Sequence, residues 1–63
     1  MGSRIRLVRI SCNLTQEKLG EMAGVDRQSI NRIEGGLASP RLDTLLRIAE
    51  ALRVPAAAFF VDS

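Results

Sequence analysis

The stretch TQEKLGEMAGVDRQSINRIE, residues 15–34, decides the fold. Thr15 followed by Gln16, Glu17 and Lys18 reads as the start of a helix, because a threonine hydroxyl can accept a hydrogen bond from a free first-turn amide. Glu17 sits one place early for a strict capping box, and Leu14, just before the cap, is placed to staple against Leu19. The helix runs through Leu19, Met22 and Ala23 and stops at Gly24. Asp26 caps a second helix almost at once, with Ile30 and Ile33 as its buried stripe. After Glu34, Gly35-Gly36 supplies a left-handed exit. Two short helices joined by so tight a turn, Gly24-Val25, cross steeply. Gly20 and Ala23 are small enough to let them approach, and Val25, Ile30 and Ile33 lock the second helix onto a core.

Arg27, Gln28, Asn31 and Arg32, with Ser29 beside them, are left facing outward. An arginine can pair bidentately with guanine O6 and N7, and glutamine or asparagine with adenine N6 and N7. Several of the best base-reading side chains thus crowd the first two turns of one short helix, and an α-helix fits the major groove of DNA.

Outward from this pair, the same signals give three more helices. The first spans Ser3 to Cys12, with Ser3 as N-cap, Ile5, Val8 and Cys12 as its inner positions and Asn13 as its stop. Gly35 to Pro40 has no periodic pattern and is a loop. The fourth helix runs from Leu42 to Leu52, with Leu42, Leu45, Leu46, Ala49 and Leu52 as a nearly continuous core face. The fifth starts at Pro55, a residue suited to a first helical position, and ends near Phe60. The chain is read as a single domain, residues 1–63, with 1–3 and 61–63 expected to fray.

Composition agrees with this plan and excludes others. At 63 residues, 46% hydrophobic and with only Phe59 and Phe60 as aromatics, the core must be aliphatic, which suits packed helices. The formal net charge is +2, and residues 1–32 carry six cations against three acids, so a basic face must come from that half. One cysteine and no histidine leave neither an internal disulfide nor a Cys/His zinc site, and a reducing cytoplasm is the natural setting. Cys12 reads as a small, semi-buried hydrophobe. No apolar run approaches the roughly 20 residues of a membrane span, and Arg4, Arg6 and Arg9 break any signal-peptide pattern. Glu17 and Glu21 lie on an exposed face without a catalytic companion. No catalytic residue, metal or cofactor is expected.

The segments Leu14-Thr15-Gln16-Glu17-Lys18-Leu19, Ala23-Gly24-Val25 and Ser29-Ile30-Asn31-Arg32-Ile33-Glu34 together resemble the phage repressor/Cro-type (XRE) helix-turn-helix family. The resemblance continues through Gly36, Pro40, Thr44-Leu45-Leu46, Ile48-Ala49, Ala51-Leu52 and Val54, and covers the chain from about Ile5 to Phe60. It implies an all-α, five-helix, lambda-repressor-like DNA-binding domain with its helix-turn-helix at helices 2 and 3. It implies a transcriptional regulator, not an enzyme, that binds double-stranded DNA at a palindromic operator as a homodimer. Phage Cro-like switches, restriction-modification controllers and antitoxin-type autoregulators are of similar size.

By this resemblance Arg27, Gln28, Asn31 and Arg32 take base-reading positions, and Thr15, Gln16, Ser29 and Arg41 phosphate-contacting ones. Arg9 and Glu34 match a salt bridge that ties helix 1 to the end of helix 3. Four positions depart from the pattern. Gly20 stands where alanine is usual, expected to cost helix 2 up to about 1 kcal/mol. Leu37 and Ala38 replace loop cations, and Arg53 replaces the usual glycine before Val54. Phe59 is expected to close the core, and Phe60, Val61 and Ala57 to form a two-fold dimer patch. The alternative reading is a protein-interaction module of the same fold, an adaptor or antitoxin, that does not bind DNA.

Overall fold

The computed structural model describes residues 1–60, and every regular element in them is helical. Four α-helices, α1 (Gly2–Ser11), α2 (Gln16–Ala23), α3 (Arg27–Glu34) and α4 (Leu42–Leu52), precede a short 3₁₀ helix, Ala56–Phe60. This is the all-α, repressor-like arrangement expected, with one change. The fifth helix is a 3₁₀ turn, closed by Ala58 N–H on the Pro55 carbonyl at 2.9 Å, an i to i+3 bond.

α1 begins earlier than its sequence signals suggest. Met1 is the N-cap and offers no side-chain bond, so Ser3 lies inside the first turn and is not the cap. Residues 2 and 3 are therefore helical, against the expectation of fraying. The amides of Arg4 and Ile5 both reach the Met1 carbonyl at 3.1 Å. The helix ends at Ser11, and Asn13 takes the left-handed conformation (φ 58°) that makes asparagine a good stop. Cys12 falls past the last turn and is exposed, not semi-buried as expected from its spacing. The expectations for Val61, Asp62 and Ser63 fall outside the described residues.

The turn between α2 and α3 is built from three local devices. Thr15 Oγ1 accepts from Lys18 N–H at 3.0 Å and starts α2. Gly24 (φ 71°) ends it in the left-handed region, where a Cβ is costly. Asp26 then accepts from Ser29 N–H at 3.1 Å and starts α3. Gly20 adds a close backbone contact across the turn. A Cβ on Gly20 would collide with the Val25 carbonyl, and Val25 N–H bonds the Gly20 carbonyl at 2.8 Å. The expected helix penalty at Gly20 is thus offset by an approach of the two backbones that alanine does not permit. The α3 exit is simpler: Gly35 is still right-handed and Gly36 (φ 77°) alone makes the left-handed step.

The core is aliphatic with one aromatic lid. Ile5, Leu19, Ile30, Ile48 and Phe59 are fully buried, joined by Ala23, Ile33, Leu45, Ala49 and Leu52. Val8, Leu14 and Val25 pack against this cluster half-buried, whereas Met22 is exposed. α4 presents Leu45, Ile48, Ala49 and Leu52 inward, so its face is rotated from the one expected: Leu42 and Leu46 are exposed. Ile48, passed over in the leucine-based reading, lies at i+3 from Leu45 and takes the central place. α2 packs on α3 and α4, α1 on α3, and the 3₁₀ helix on α1 and α4. Among the described residues, only the inner side of α3 is covered.

α4 ends on Arg53 in the left-handed region (φ 59°), where the usual glycine is missing. Two substitutions should move stability in opposite directions, each against a simple propensity scale. Arg53→Gly removes the left-handed strain and should raise the unfolding free energy by about 0.5–1 kcal/mol. Gly20→Ala, favourable by helix propensity, should lower it by about 1–3 kcal/mol because the Val25 carbonyl must move. Urea denaturation of the two variants beside the parent reads both signs.

Candidate nucleic-acid interface

Arg27, Gln28, Asn31 and Arg32 are all exposed, and with Gln16 they line one open concavity along the outer side of α3. α3 is placed there by its own amphipathic pattern: Ile30, Ile33 and Glu34 face in, and Arg27, Gln28, Asn31 and Arg32 are left on the outer side. Among the described residues, Arg27 and Arg32 form no ion pair. Their guanidinium donors are therefore free for a ligand.

The inner anchor of this face is an ion pair. Arg9 Nε donates to Glu34 Oε2 at 2.7 Å and Arg9 Nη2 to Glu34 Oε1 at 3.0 Å, a bidentate pair with side chains 11% and 2% exposed. Arg9 Nη1 also donates to the Leu14 carbonyl at 2.8 Å. One guanidinium thus fastens α1, the α1–α2 connection and the end of α3. From Glu34 the network continues outward. Gln16 Nε2 donates to Glu34 Oε1 at 3.2 Å, and Asn31 Nδ2 donates to Gln16 Oε1 at 3.2 Å. No buried side-chain nitrogen or oxygen among the described residues lacks a partner.

The expected phosphate-contacting residues separate into two groups. Thr15 and Gln16 stand at the start of α2, on a neighbouring concavity that shares Gln16 and Arg27 with the α3 one. The Thr15 oxygen accepts the cap bond and still has its own proton to give. Arg41 lies across from them at the N-terminus of α4, largely exposed and 3.8 Å from Asp43, on a second concavity shared with Ser29 and Arg32. Ser29 is committed differently. Its hydroxyl donates to Asp26 Oδ1 at 2.7 Å, so in this arrangement it has no proton for a phosphate. That bond, reinforced by the Ser29 amide, holds the Asp26 carboxyl below the usual aspartate range. Arg6, to which the sequence reading gave no site role, lines a third concavity with Arg9, Gln16, Asn31 and Glu34. Its spacing of three from Arg9 on one helix was the available signal.

Residues 5–59 match the helix-turn-helix family. The chain belongs to this family, in its phage-repressor (XRE) branch. This helix-turn-helix domain is 41% identical over all 63 residues to an uncharacterized HTH-type transcriptional regulator of Sinorhizobium medicae, of which it covers 45%. Over 61 residues it is 34% identical to the cryptic phage CTXphi transcriptional repressor RstR of Vibrio cholerae, covering 97% of this chain and 55% of that one. The chain thus spans about half the length of these relatives. Among solved structures, the restriction-modification controller protein C.AhdI from Aeromonas hydrophila superposes with a TM-score of 0.91 at 32% identity. That match covers 94% of this chain and 89% of the controller. The P22 c2 repressor in complex with synthetic operator 9T gives 0.84 at 33% identity, covering 87% and 83%.

Within this helix-turn-helix domain the ion pair is the most exposed to single substitution. Glu34→Ala leaves the Arg9 guanidinium buried without its counter-charge and should cost about 3–5 kcal/mol of stability. Thermal and urea unfolding monitored by circular dichroism check it; a variant that unfolds with the parent would show that Arg9 is solvated.

Proposed function

We propose that this domain binds a two-fold-symmetric DNA operator as a homodimer and regulates transcription by occupying it. The observation that carries the reading is the outer side of α3. Four base-reading side chains stand exposed on one rod, Arg27 and Arg32 pair with no acid among the described residues, and the rod's other side is fixed in the core. The P22 c2 repressor, of the same fold, is solved on a synthetic operator, and the same docking is proposed here. α3 enters the major groove with its N-terminal turns against base edges. Gln16, Thr15 and the first amides of α2 hold phosphates on one side and Arg41 on the other, which sets register without reading sequence. Arg27 and Arg32 favour guanine edges, Gln28 and Asn31 amide-matched ones.

A second copy would place its α3 one helical turn away, about 34 Å along the same face of the duplex. The proposed contact is the exposed Phe60 with Ala57 on the outer side of the 3₁₀ helix, whose inner side Phe59 fills. Val61, assigned to this patch from sequence, lies outside the described residues.

Selection from random duplexes should enrich a palindrome, with affinity falling steeply as salt rises. Binding without sequence preference, or none at all, would favour the interaction-module reading. Arg27→Ala should cost about 1–3 kcal/mol and relax preference at one base pair per half-site; uniform weakening at every sequence would make Arg27 a phosphate contact. Phe60→Asp should sediment as a monomer where the parent is a dimer, and an unchanged species would remove Phe60 from the interface.

A further inference from the structure

Gln16 lies between two α3 side chains of different hydrogen-bonding character. A primary amide can turn over and exchange its donor and acceptor ends, and its shape does not fix the choice. In this network chemistry fixes it. Glu34 is bound at both oxygens by the Nε–Nη2 edge of the Arg9 guanidinium, and a carboxylate only accepts. The end of Gln16 that meets Glu34 Oε1 must therefore be its NH₂, a bond to an ion and of the stronger kind. Its carbonyl oxygen is then the end left for Asn31, and Asn31 must answer with its own NH₂. The result is that Asn31 Oδ1 is the end of the amide left without a protein partner, on an exposed residue of the α3 concavity.

We propose that Glu34, acting through Gln16, fixes which end of the Asn31 amide meets a base, making Asn31 a selector of bases that present an amino group. This rests on the operator-binding reading above and adds the base class at one position. In the major groove adenine offers its N6 amino group and cytosine its N4 amino group, whereas guanine and thymine offer only acceptors as polar groups. An outward carbonyl oxygen accepts from the first two and is repelled by the others. Glu34 and Gln16 are positioning residues in this arrangement. Asn31 is the reader, and the polarity it shows is inherited from a carboxylate that DNA does not reach.

The test is selection from random duplexes with the parent and three variants, each first shown to fold by its circular dichroism melt. Asn31→Ala marks the position by losing preference there alone. At that position the parent should hold adenine or cytosine over guanine or thymine by about tenfold or more. Gln16→Lys replaces the two-ended amide with an ammonium, which has donors only and can pair with Glu34. Asn31 must then turn its oxygen toward Lys, its NH₂ faces out, and the preference should invert to guanine or thymine. Gln16→Glu still accepts from Asn31, so binding should weaken at every sequence while adenine or cytosine stays preferred. Guanine or thymine at the Asn31 position in the parent overturns the proposal, as does an Asn31→Ala profile unchanged everywhere. It is equally overturned if Gln16→Lys keeps the parental preference or Gln16→Glu loses it. A parent that enriches no sequence defeats the operator reading itself, and this inference with it.

Discussion

The structure depends on the burial of one charge pair. Removing a guanidinium and a carboxylate from water is costly, and their attraction repays that only when geometry is good and the remaining donors and lone pairs are filled. Both conditions hold for Arg9 and Glu34. Two short bonds join them in a fork, the third Arg9 bond goes to the Leu14 carbonyl, and Gln16 takes a further bond on the carboxylate. The pair does more than fasten α1 to α3. It sits at the far end of α3 from the Asp26 cap, so the eight-residue helix is held at both ends by carboxylates, one exposed and one buried. A helix of two turns is marginal alone. Held in this way, and with Ile30 and Ile33 in the core, it can afford to leave its outer side bare.

Much of this was legible in sequence where the controlling chemistry is local. Thr15, Asp26, Asn13 and Gly24 start or stop helices through bonds and dihedrals reaching no more than a few residues, and each is found at its expected task. The outward set on α3 was legible for the same reason, since two buried isoleucines three apart fix the helix's rotation. α4 shows where pattern reading is ambiguous. Leu42, Leu46 and Leu45, Ile48, Ala49, Leu52 occupy adjacent stripes, and only the position of α2 and the 3₁₀ helix decides that the second is covered. Ser3 was misread because any serine before an apolar period looks like a cap, while the chain before it was already long enough to begin the helix.

Gly20 and Arg53 show what composition scales miss. A propensity describes a residue against its own helix, and the obstacle to a larger residue at Gly20 is a carbonyl on the far side of the turn. At Arg53 the departure from glycine was visible, and its consequence was too, because the backbone there must turn left-handed whatever residue stands in it. At the interface the residue types were readable but not their orientation. That Asn31 leans on Gln16, and Gln16 on Glu34, requires three side chains from two helices to converge, which no spacing rule supplies.

Cys12 carries a practical consequence. It is the sole sulfhydryl of the chain, it is exposed just beyond α1, and its Sγ lies 4.0 Å from the Leu52 carbonyl at the end of α4. It is not among the residues around the α3 concavity. A nitroxide or fluorophore attached there needs no engineered background, stays clear of the exposed side of α3, and would make each molecule one end of a ruler in any assembly it enters.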